Sequence, residues 1–76
     1  MSEIEMKMEE CLRPILGDMA PIAIEGQKKK LGLQGMELSR EQYYQLANQI
    51  KEMCEEMAGE VIADKIFKGL MSIINE

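Results

Sequence analysis

Glu52, Glu56, Glu60 and Asp64 recur at every fourth residue, which would set four carboxylates in one slanting row on a helix. Like charges at this spacing destabilise an isolated helix by about 0.2–0.5 kcal/mol per pair. The row could hold a divalent cation, since calcium and magnesium take oxygen ligands, or it could meet a basic protein partner. No EF-hand loop and no Glu-x-x-His pair accompanies it, so no metal or other cofactor is expected. Most of the row falls opposite the apolar positions, where solvated charge belongs. The plain reading is a solvated face, with an acidic partner face as its functional counterpart.

The second group is Lys28, Lys29 and Lys30, in the stretch EGQKKKLGLQGM. A phosphate-cradling loop would follow a strand and open a helix, so that backbone amides point at the anion. Here the glycines come after a helical pattern and no strand precedes them. Cations in a last turn followed by glycine are the ordinary marks of a helix end. The three lysines are expected to be solvated there, and a turn that binds anions or an acidic partner is the functional alternative.

Histidine is absent, and the two cysteines, Cys11 and Cys54, do not form a Cys-x-x-Cys. No nucleophile–base pair can be named, so the chain is not expected to be an enzyme. Both cysteines fall on apolar faces and are expected to be inert core residues with reduced thiols. The eight methionines mostly fall on or beside the apolar stripes. Core filling is the preferred role for them, and an adaptable partner groove is the alternative should Met53, Met57 and Met71 stand exposed together.

The elements that must carry these residues are helical. Apolar residues recur by threes and fours at Ile4, Met8, Cys11, Leu12, Ile15, Leu16, Met19, Ile22 and Ala23. Ser2 with Glu5 has the form of a capping box, and Pro14 and Pro21 interrupt the pattern. The periodicity resumes after Ser39, whose S-R-E-Q is a second capping box, and runs from Tyr43 to Ile74. Its phase slips at Gly59, which predicts a kink or break. The expected helices cover about residues 2–12, 14–30, 40–58 and 60–74, with a turn over 31–38. No segment alternates with the period of a strand.

Seventy-six residues with a net charge of −5 make one small acidic domain. The charge argues against nucleic-acid binding, which draws its affinity from neutralising phosphates. No apolar run reaches the ~20 residues of a membrane span, and the N-terminus lacks the order of a signal peptide, so a cytoplasmic protein is expected. A chain this short usually needs a staple, and self-association is the expected one. The broad C-terminal stripe supplies the candidate interface: Met57, Val61, Ile62, Ile66, Phe67, Leu70, Met71, Ile73 and Ile74.

The expected fold is therefore all-α, a small helical hairpin or bundle of three to four helices completed by homodimerisation. The expected function is a protein–protein interaction or regulatory helical module that acts as a homo-oligomer, with a possible further protein partner. The alternative is a membrane-surface or regulatory element that uses the C-terminal helix, where Lys65 and Lys68 flank Ile66 and Phe67. Such helices are usually more basic, which counts against a membrane. A carboxylate-based metal or enzyme site is the distant third.

Overall fold

Ser39 starts the longest helix. Its Oγ accepts from the Gln42 amide at 3.2 Å, and the Gln42 side chain accepts from the Ser39 amide at 2.9 Å. This reciprocal cap satisfies two amides that no helical carbonyl can reach. A computed structural model describes residues 3–75. In chain order they form α1 (Glu3–Leu16), a single 3-10 turn (Gly17–Met19), α2 (Ala20–Lys30), α3 (Arg40–Ala58) and α4 (Glu60–Ile74). No strand occurs among the described residues. The Ser2–Glu5 capping box lies outside them, because Ser2 is not described.

Helix α1 does not stop before Pro14, as the sequence reading has it, but runs through it to Leu16. Proline in the last turn costs less than in a helix interior. The carbonyl it leaves without a partner, that of Glu10, belongs to an exposed residue that water can reach. Met8 and Leu12 are fully buried, and Ile15 and Leu16 pack against the core, so apolar burial holds the turn together. The helix ends at Gly17.

The 3-10 turn that follows winds more tightly than an α-helix and so shifts the phase of everything after it. The expected stripe through Met19, Ile22 and Ala23 is therefore displaced. Ala20, Ile24 and Lys28 face inward instead, and Met19 and Ile22 are 56% and 61% exposed. At the end of α2, the Leu33 amide donates to the Lys28 carbonyl at 2.8 Å and the Gly32 amide to that of Lys29 at 3.2 Å. With Gly32 at φ 70° and Leu33 buried, this is a Schellman cap.

Between α3 and α4 stands one residue, Gly59, at φ 89° and ψ 169°. That conformation is essentially closed to residues with a Cβ. It folds α4 back along α3, and α1 packs across α4 and α2. Two contacts pin α4 in place. The Tyr43 hydroxyl donates to the Leu70 carbonyl at 2.6 Å, and Cys11 Sγ lies 3.7 Å from the Ile66 carbonyl. Helices α1 and α4 approach so closely that a Cβ built on Gly69 would stand 2.7 Å from Cys11 Sγ. The core formed between them contains Met8, Leu12, Tyr43, Leu46, Ile50, Cys54 and Leu70, all fully buried.

Gly69→Ala is accordingly expected to cost about 1–3 kcal/mol in urea unfolding, through overpacking. In a Cys11→Ala background the same change should stabilise by up to about 1 kcal/mol, the preference of a helix for alanine over glycine. An equal loss in both backgrounds would mean that the sulfur is not what requires glycine there.

Candidate interaction surface

The C-terminal stripe is largely covered by the chain itself. Ile66 and Leu70 are buried in the core, and Phe67, Met71, Ile73 and Ile74 are half-buried against it. The turn at Gly59 lays α4 against α3 and α1, which cover these six residues in whole or in part, so the stripe leaves a second subunit less to cover than expected. Of the nine candidate interface residues only Met57, Val61 and Ile62 stand exposed, Val61 most of all at 72%.

The break at Gly59 also divides the acidic row. Asp64 sits on α4, with Oδ1 3.3 Å from Lys51 Nζ, and that ammonium lies 5.2 Å from the Phe67 ring centroid. Glu52, Glu56 and Glu60 are exposed. None of the three has a cation within ion-pair distance among the described residues. No group of three or more potential ligands that could hold a metal ion occurs among the described residues.

The lysine turn is divided as well. Lys29 and Lys30 are exposed, but Lys28 is buried, with its ammonium 2.5 Å from Glu5 Oε1 and 3.5 Å from Glu25 Oε1. The expectation of three solvated lysines thus fails at Lys28, because the phase shift after Gly17 turns that position inward. The pair lies in a cavity of about 750 Å³ between α1, α2 and the connection to α3, lined also by Ile4, Met36, Glu37 and Tyr43. One ammonium there faces the carboxylates of Glu5, Glu25 and Glu37.

A different surface is left uncompleted. Ile15, Leu16 and Met19 from the first arm, Ile22 and Ala23 from α2, and Met53 and Met57 from α3 line an open groove of about 330 Å³. Met57 is 57% exposed, much like Met19 and Ile22 on the facing wall. Beside it the Gln27 side-chain amide donates to Met53 Sδ at 3.6 Å, while its Oε1 is buried with no partner among the described residues. The sequence pointed to Met53 and Met57 as a conditional partner groove. It missed Met19 and Ile22, and the glycine before Asp18 was the one signal that their phase would change. Met71, the third methionine of that condition, is half-buried on α4 away from this groove.

Both thiols are free, and burial pushes each above its ordinary value, which favours the protonated form. Among the described residues no helix is long and apolar enough to cross a membrane. No family model matches the chain, and neither a curated protein nor a solved structure matches it.

Four buried or paired groups set the alkaline behaviour. The hydrogen bond to Glu5 holds the Lys28 ammonium above its ordinary value, and burial raises the Tyr43 phenol and both thiols. In each case the folded chain keeps a proton that the unfolded chain gives up first. The associated stability is complete below the ordinary values and is lost as pH rises through the raised ones. The unfolding free energy should therefore fall from about pH 9 upward, the thiols acting first. Lys28→Met and Tyr43→Phe should each flatten the slope above about pH 10. Urea midpoints measured across this range check both, and an unchanged slope in either variant would remove that residue from the account.

Proposed function

We propose that this chain is a protein–protein interaction module rather than an enzyme, and that its working surface is the α2–α3 groove with Met57, Val61 and Ile62 beside it. The observation that carries this reading is the set of uncovered side chains, Met19, Ile22 and Met57, around an apolar groove. Contiguous apolar patches of this kind mark binding surfaces. Methionine suits such a surface because its unbranched thioether chain adapts to different partners.

A second reading is self-association, favoured by the exposure of Val61 and Ile62 at the start of α4, next in the chain to Met57. It no longer rests on an unfilled core. The radius of gyration is 11.2 Å, close to the ~11 Å of a compact chain this long. A membrane-surface role for α4 has less support. Ile66 and Leu70 would have to leave the core to reach a lipid surface.

Ile22→Glu and Met57→Glu should each leave stability within about 0.5 kcal/mol of the parent, because both side chains are already in water. Leu70→Ala should cost about 2–5 kcal/mol. The function is tested with a photo-crosslinking residue placed at Met57, and for comparison at Glu55, about half a turn around α3. Discrete adducts from position 57 that are absent from position 55 support an interaction surface. An adduct of twice the chain mass would identify a second copy. Identical behaviour at the two positions would remove this face as the working surface.

A further inference from the structure

We infer that the groove receives one amphipathic helix of a basic partner, its apolar side chains between the walls and its Lys or Arg side chains over Glu52 and Glu56. This identifies the partner class for the interaction reading above and rests on it.

Helix α3 sets two rows side by side. Met53 and Met57 stand one turn apart and form one wall of the groove. Glu56 follows Met53 by three residues and Glu52 stands one turn before Glu56, so on α3 these two carboxylates run alongside as a rail, while Glu60 lies beyond the Gly59 turn at the start of α4. A wall with one-turn spacing fits side chains at i and i+3 or i+4 of an incoming helix. Glu52 and Glu56 are like charges with no cation within ion-pair distance among the described residues. Asp64 and Asp18, by contrast, are paired, with Lys51 at 3.3 Å and Arg13 at 4.0 Å. The opposite wall, Met19, Ile22 and Ala23, carries no charge. Lys29 and Lys30 lie on α2 past Gln27, which meets α3 at Met53, and neither is within ion-pair distance of Glu52 or Glu56. The surface is thus apolar on one side and uncompensated acid on the other, the complement of a basic amphipathic helix.

The same charges disfavour a second copy as the occupant. A two-fold contact places one patch against its own duplicate. Here that would bring two acidic rails together, in chains that each carry −5. A lysine-rich partner removes the repulsion, whereas a second copy doubles it.

The test follows the methyl signals of ¹³C-methionine in the full chain by NMR while a synthetic leucine–lysine amphipathic helix is added. A leucine–glutamate helix of the same length serves as its counterpart. The expected result is saturable movement of the Met19, Met53 and Met57 methyls with the basic helix, and none at Met6 and Met36. Affinity should fall about fivefold in the Glu52→Gln, Glu56→Gln double variant, the scale of two modest rim charges. It should hold in a Glu10→Gln, Glu37→Gln variant, which changes the net charge equally. Circular dichroism confirms that both variants keep their helicity. Equal losses in the two variants would reduce the attraction to overall charge and overturn the inference. Equal binding of the two peptides would overturn it while leaving the interaction reading in place. Movement of the same methyls on concentrating the protein alone would replace the basic partner with a second copy. If those methyls respond to neither peptide nor concentration, the interaction reading fails together with the inference.

Discussion

The reversal at Gly59 is the constraint on which the rest of the structure depends. Without it, residues 40–74 would form one helix of about 50 Å at 1.5 Å per residue. The longest dimension of the molecule is 29 Å. One backbone conformation open only to glycine folds that length in half and turns the phase slip in the apolar stripe into a packed pair of helices. Tyr43 can then reach the Leu70 carbonyl, and α1 can close over α4 at Cys11 and Gly69. Each of these contacts presupposes the antiparallel return of α4.

The fold spends its apolar surface unevenly. Leu12, Leu46, Ile50 and Leu70 are fully enclosed, yet Met19, Ile22, Met57 and Val61 are more than half exposed. Had α2 kept the phase of α1, Met19 and Ile22 would face inward with Met8 and Leu12. The 3-10 turn at Gly17–Met19 turns them outward and brings Lys28 inside, where Glu5 and Glu25 neutralise it. One local change of winding thus produces both a buried ion pair and an open apolar wall. The ion pair is weak evidence for stability, since removing charge from water offsets much of its attraction. The wall is surface that the chain does not use for its own folding.

Much of this was legible in the sequence. The capping box at Ser39–Gln42, the helix end at the lysines and the break at Gly59 each follow from a residue with one conformational or hydrogen-bonding speciality, and such signals are local. The all-helical class follows from periodicity alone. The end of α1 was misplaced because the cost of Pro14 depends on how far it lies from the helix end, which tertiary packing decides. The acidic rail and the methionines were visible as residue types, but not their position beside a groove. That position depends on the rotation of α2, a phase shift of a fraction of a turn set by three residues. The C-terminal stripe was visible too, but its partner could not be assigned. Apolar periodicity states that a face will be buried, not whether the same chain or another buries it.

The single-residue link between α3 and α4 also orders events in time. Pairing these two helices closes almost no loop, whereas the Cys11–Ile66 contact joins residues 55 apart in sequence. The difference in loop-closure entropy is about 2 kcal/mol. Loop-closure entropy thus favours pairing of α3 with α4 before docking of the α1–α2 arm. Until that arm closes, the side of α4 bearing Ile66 and Gly69 lacks its α1 cover. A chain in that state is at its most adhesive, and how fast the first thirty residues dock determines how long it stays so.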